Sequence, residues 1–165
     1  VYEPVVGAVY SIPKITLYPI ILLLFGLTLS AKVAFGALHG IFPMIIFTMG
    51  GVKNAKPVLL KAARAMRLSP AASIRHILIP AALPEIFTGF RIGFSLTLLG
   101  TLIGELFASD RGLGFLLIRS IEHNDGETIL ALTVLLFAAS ATVGWALLRL
   151  DRRLRRHTEA EPASL

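Results

Sequence analysis

Lys61 to Pro80 reads KAARAMRLSPAASIRHILIP, a basic, helix-patterned segment set between long apolar runs. Lipid cannot hold its cations, so the segment belongs at an aqueous boundary, and the runs on either side decide the fold class. Hydrophobic residues make up 55% of the 165 and charged residues only 16%, with a mean hydropathy of +0.77. A soluble domain of this size does not need so apolar a composition, and the chain reads as an all-α, polytopic membrane protein.

A spanning helix takes roughly 20 mainly apolar residues. Four windows meet or approach that length: about 15–31, 33–52, 83–107 and 128–148. The first is short and contains Pro19 and Gly26, the second includes His39, and the third carries Glu85, Arg91 and Glu105. Cytoplasmic loops keep an excess of Lys and Arg. Residues 53–75 hold Lys53, Lys56, Lys61, Arg64, Arg67 and Arg75 without an acid, and the tail 149–165 opens with Arg149, Arg152, Arg153, Arg155 and Arg156. The intervening connection, 108–127, is acidic on balance. The loop 53–80 and the tail are therefore expected inside, the Thr28 to Lys32 turn outside, and Val1 to Lys14 inside. This distribution accounts for the net charge of +6 as membrane orientation, and nucleic acid is not an expected partner. With no cysteine, disulfides and thiolate chemistry are excluded.

Within the basic segment, Pro57 suits a helix start, and Leu59, Ala62, Ala63 and Met66 recur at helical spacing. Lys61, Arg64 and Arg67 form a stripe beside that face. Ser69 before Pro70 is an N-cap signal, opening a second short helix with Ile74, Ile77 and Leu78 on its apolar side. Pro80 and Pro84 then punctuate entry into the next span. Two readings stay open: an interfacial helix pair whose cations meet anionic lipids, or a knob that buries Leu59, Ala62, Ala63 and Met66 in a groove of a cytoplasmic partner.

These residues resemble a known family, the permease subunits of binding-protein-dependent ABC importers, in particular the group that takes up nitrate, sulfonates and taurine. That family's cytoplasmic signature is Glu-Ala-Ala, three residues, Gly, then an apolar residue and Pro about a dozen residues on. Here Lys61-Ala62-Ala63 stands at its start, Arg67 where the Gly falls, and Ile79-Pro80 at its end. The resemblance continues through PAALPEIFTGFRIGFSLTLLGTLIGELFASDRGLGFLL (80–117), SIPKITLYPIILLLFG (11–26) and HGIFPMIIFTMGGVKN (39–54), covering about Tyr10 to Arg156. It implies a type I importer-like helical bundle whose cytoplasmic coupling loop docks a separate ABC ATPase subunit. It also implies a second permease copy and a periplasmic or lipid-anchored solute-binding protein. The ATPase-docking residues are then Leu59, Lys61, Ala62, Ala63, Met66, Arg67, Ser69, Ile74 and Pro80. Family permeases have about six spans, so the chain is expected to lack the first two. Lys61 reverses the charge of the family's Glu and Arg67 replaces its Gly, which implies either a re-specified ATPase contact or a copy that no longer couples.

No Gly-x-x-x-x-Gly-Lys-Ser/Thr loop is present to cradle nucleotide phosphates, so no cofactor is expected and the chain is not expected to be an enzyme. Pathway or gate candidates are His39, Arg91, Glu105, Gly112 and Gly114. Arg91 and Glu105 lie too far apart along one helix to pair, about 21 Å. For Arg91, snorkelling to the cytoplasmic surface competes with an anion contact; for Glu105, a structural hydrogen bond competes with a substrate role; for His39, packing competes with the pathway. Arg111-Gly112-Leu113-Gly114-Phe115 reads as a tight turn near a gate. Gly36 and Gly40, like Gly100 and Gly104, have the spacing of close helix contacts. An ATP-independent channel or secondary transporter would explain the spans equally well, though not the docking-like loop.

Overall fold

A computed structural model describes residues 2–159. Eight α-helices run in order: α1 Tyr2–Tyr10, α2 Tyr18–Phe25, α3 Leu29–Lys53, α4 Pro57–Ala65, α5 Pro70–Ser73, α6 Ile79–Phe107, α7 Leu113–Glu122 and α8 Gly126–Glu159. No strand occurs among the described residues. Three helices are long and apolar enough to cross a membrane: Leu29–Lys53, the continuous stretch Pro70–Phe107, and Gly126–Asp151. A bent pair, Pro4–Tyr10 with Lys14–Phe25, counts as a fourth where its two arms are taken as one broken span.

The α3–α6 pair is the centre of the bundle. In lipid no hydrophobic effect pulls two apolar helices together, so close approach of small residues carries the association. Gly36 and Gly40 of α3 and Gly89, Gly93 and Gly100 of α6 lie on the shared seam, all but Gly89 and Gly93 anticipated by spacing. A β-carbon added at Gly93 would lie 2.6 Å from the Gly40 carbonyl oxygen, and one at Gly40 the same distance from the Gly93 oxygen. Thr97 and Thr101 donate their hydroxyls to carbonyls of their own helix, Gly93 and Thr97, at 2.9 Å each, which keeps the seam narrow. The four-residue spacings thus serve packing within the chain.

The first expected span, 15–31, is built differently. A single 3-10 turn, Lys14–Leu17, leads into the eight residues of α2. The chain then reverses through Gly26, whose φ of 66° suits a residue without a β-carbon. α3 begins at Leu29, so Lys32 lies in its first turn and is buried, not in an exposed turn over 28–32. Upstream, the axes of α1 and α2 differ by 76° across Ser11 to Pro13. Pro13 has no N–H to continue the ladder, and the span is broken there. Tyr18 anchors α2 by donating its hydroxyl to the Gly104 carbonyl at 2.6 Å and by packing on Phe35 with ring centroids 4.5 Å apart.

Two short cytoplasmic-type helices were expected over 57–80, and the second is not separate. α5 passes without a break into a π-helical turn, Ile74–Leu78, and on into α6. Pro80 cannot donate to the His76 carbonyl and its ring crowds it; the wider turn accommodates this, with the Ile79 N–H reaching back to Ile74. α8 is capped by Asp125, which accepts from the Thr128 N–H at 3.1 Å and from its hydroxyl at 2.5 Å. The Thr128 side chain first, then its N–H, holds the Asp125 carboxyl below the usual carboxylate range. That cap is complete above about pH 4 and is lost as pH falls through the lowered folded value. The tail expected over 149–165 continues α8 as far as Glu159, and 160–165 lie outside the described residues.

Substitution at the seam should separate packing from helix propensity. Gly93→Ala is expected to destabilise the protein by about 1–3 kcal/mol through overpacking. Gly50→Ala, in the same α3 but with nothing within 4 Å of the added carbon, should leave the thermal midpoint unchanged or raise it. Thermal unfolding in detergent, followed by fluorescence size exclusion, checks both.

Candidate functional site: the docking helices and the ionisable residues of the spans

α4 ends at Ala65 and the chain turns sharply before α5. Arg67 sits in the left-handed region at φ 51°. The Leu68 N–H bonds the Ala63 carbonyl at 3.1 Å and the Arg67 N–H bonds the Arg64 carbonyl at 3.0 Å, the paired pattern of a Schellman helix end. Arg67 therefore takes the conformation for which a glycine would be preferred, at a cost of about 1–2 kcal/mol. Ser69 caps the next helix by accepting from the Ala72 N–H at 3.3 Å.

The expected partner-facing set divides. Lys61, Ala62, Met66 and Arg67 are exposed, Met66 at 68%, and with Val58 they form the outward face of α4. Leu59 is half-buried and Ala63 is 4% exposed, its carbonyl accepting from the Leu68 N–H. Ala62 and Met66 thus face outward, Ala63 turns inward, and Leu59 lies between the two sides. Periodicity showed which residues line up, but not which side of α4 meets its own bundle. Ile74 is half exposed at the start of the π turn, and Pro80 lies half-buried within the continuous helix.

At the other end of α6, Glu105 reaches across to α7. Its Oε2 accepts from the Gly114 N–H at 2.9 Å, placing a carboxylate at the positive end of that helix. Gly112, at φ 118°, precedes α7, and a β-carbon there or at Gly114 would collide with Glu105. These three expected residues form one latch. Lys32 adds a second attachment, between residues 77 positions apart that no local pattern connects. Its ammonium donates to Ser109 Oγ at 2.5 Å, and Ser109 in turn donates to the Arg111 carbonyl. Beside the latch, a cavity of about 430 Å³ opens between α6, α7 and α8, lined by Leu98, Thr101, Leu102, Glu105, Leu136 and Ser140 among others.

His39 and Arg91 lie elsewhere. His39 donates from Nδ1 to the Phe35 carbonyl at 3.0 Å, meets the Phe35 ring edge-on and packs on Gly100. Arg91 is half-buried two residues from the Gly93 seam, about 200° around the helix and hence turned away from α3. Since Gly93 faces Gly40, Arg91 stands level with the middle of α3. That is about 16 Å along the helix from the level of Lys53.

Residues 1–156 match the family described as the inner membrane component of binding-protein-dependent transport systems. The chain belongs to this family. Its curated relatives include the putative aliphatic sulfonates transport permease protein of Escherichia coli (strain K12), 30% identical over 76% of this chain and 48% of the relative. The taurine transport system permease protein of the same organism is 28% identical over 93% of this chain and 56% of the relative. The riboflavin transport system permease protein of Chloroflexus aurantiacus is 33% identical over 69% of this chain and 42% of the relative. The chain spans about half the length of the curated relatives it matches. Family membership accounts for the apolar spans and for the loop between α3 and α6. Arg67, which stands where the family signature has Gly, takes the left-handed turn itself.

Removing the carboxylate by Glu105→Ala should free the start of α7. A hydrogen bond to a charged acceptor contributes about 1.5–3 kcal/mol, so amide exchange at Gly114 is expected to accelerate at least tenfold by hydrogen–deuterium exchange, with exchange in the first half of α3 unchanged.

Proposed function

We propose that this chain is part of the translocation subunit of an ATP-driven importer for a small anionic solute, of nitrate, sulfonate or taurine type. On this reading it couples to a separate ATPase through residues 58–80. The observation that carries the reading is mechanical. The exposed face of α4 is tied by a tight left-handed turn to a helix that runs from Pro70 to Phe107 without interruption. Force applied to the turn passes directly into a membrane span, and through the glycine seam into α3.

The charge pattern supports loop 53–80 and the α8 end lying in the cytoplasm, since two crossings separate them and both are basic. Trp145, whose ring lies 3.4 Å from the Arg149 guanidinium carbon, suits the headgroup level at that end. The latch at Glu105 and the loop 108–112 then face the opposite side, where a solute-binding protein would deliver its cargo. A second permease copy completes the pathway, and anionic lipid meets the cations that the ATPase leaves uncovered. Lys61 calls for an acid on the ATPase side of the contact.

A copy that has lost coupling would have no need to keep Arg67 in a costly conformation, and the intact turn favours a working dock. A channel or secondary transporter would leave the outward face of α4 without a partner.

Single cysteines on α4 test the reading and the correction to its face together. In the full-length permease assembled with its ATPase, Ala62→Cys and Met66→Cys should cross-link to the nucleotide-binding subunit through a short bifunctional reagent, and Ala63→Cys should not. No cross-link from any of the three, with the complex shown to be folded, would contradict ATPase docking at this loop.

A further inference from the structure

The break between α1 and α2 sets a cation beside the middle of α3. Phe42 lies near the centre of the 25-residue α3, about 16–20 Å from either end. The Lys14 ammonium is 5.5 Å from the centroid of that ring and 4.1 Å from that of Tyr10, whose own ring lies 6.3 Å from Phe42. Charge counting assigns a lysine to a loop, whereas this one stands inside a broken span, and its stem is far too short to carry the charge to either surface.

An ammonium has three donors and no acceptor. One goes to the Tyr10 carbonyl at 3.0 Å, at the negative end of α1. The Tyr10 and Phe42 rings offer π faces but no lone pair in line, and no carboxylate pairs with Lys14 among the described residues. The backbone beside it is open: α1 stops at Tyr10, helical structure resumes at Lys14, and Ser11, Ile12 and Pro13 are exposed between them. Non-helical backbone at this depth is held only where protein covers it or where it borders an aqueous cavity. An intramembrane cation is a functional-site candidate by default, and one beside opened backbone has room for an anion at its remaining donors. Among the described residues Lys14 is the one cation at this place, since Arg91, level with it, lies on the side of α6 turned away from α3, and Phe42 lies on the side of α3 turned away from the Gly40 seam. One charge suits a monoanion better than a dianion.

We propose that Lys14 is a contact for a small monovalent oxyanion, of sulfonate or nitrate chemistry, midway along the translocation path, with the Ser11 to Pro13 break opening the space beside it. This site rests on the importer reading for its cargo, and the test has one arm that does not.

The first arm reads local charge without transport. In the full-length permease made single-cysteine, Ser11→Cys is treated with sulfonatoethyl methanethiosulfonate and with its trimethylammonium counterpart. The anionic reagent should react at least tenfold faster than the cationic one; Lys14→Met should abolish the preference and Lys14→Arg should keep it. Reaction with neither reagent, while Asp110→Cys in the 108–112 loop reacts, would overturn the site and leave Lys14 as a cap for α1. So would reaction without charge preference. The second arm measures uptake of labelled nitrate and ethanesulfonate into proteoliposomes containing the complete complex. Lys14→Met should raise KM at least tenfold, and Lys14→Arg should stay within threefold of the unsubstituted protein. Charge-selective labelling in a complex that imports neither anion would uphold the site and overturn the proposed cargo. Unselective labelling in a complex that imports both would overturn the site alone.

Discussion

The backbone contact between Gly40 and Gly93 is the constraint on which the rest of the structure depends. A methyl group at either position would come within 2.6 Å of a carbonyl oxygen on the facing helix, so the seam exists only because both residues lack one. In lipid this closeness stands in for the hydrophobic effect. Each helix of the pair then carries its own attachments. α3 holds the broken first span, through Phe35 on Tyr18 and through Phe42 beside Tyr10 and Lys14. α6 holds α7 through Glu105 on the Gly114 amide. Tyr18 ties the two sets together by reaching past α3 to the Gly104 carbonyl.

The second consequence is mechanical. The 38 residues from Pro70 to Phe107 make a helix about 57 Å long, with an exposed hairpin at one end and the Glu105 latch at the other. The π turn over Ile74–Leu78 lets the chain pass Pro80 without breaking. In the proposed importer, this helix and its α3 partner move as one body. Motion at the docking turn would then reach the latch and the loop at Ser109, which Lys32 holds from the first turn of α3.

Much of this was legible in residues. The windows 33–52 and 128–148 lie inside α3 and α8 because an uninterrupted apolar run has no other stable arrangement in lipid. Ser69 and Pro70 marked a helix start by their local chemistry, and the start is there. What was not legible involved partners across space. Ala63 shares a helical stripe with Ala62, yet only folding decides that one methyl turns inward. Gly89 and Gly93 have the same spacing as the glycines singled out, and nothing local distinguishes a seam from a chance repeat. A charge followed by an apolar run looks like a loop end, yet the break at Pro13 sets Lys14 beside the ring of Phe42, 28 positions away in sequence. Lys32 looked like a turn residue for the same reason.

The central claim is that the docking turn and the span behind it are one rigid lever. Spin labels at Ala71 and Leu99, both exposed and about 42 Å apart along a straight helix, measure this directly by pulsed electron–electron double resonance in the full-length permease with its ATPase. A single narrow distance that stays the same in the nucleotide-free and ATP-bound complexes is the predicted result. A distance that shortens or splits into two on ATP binding would place a hinge at the π turn or at Pro84 and contradict the account.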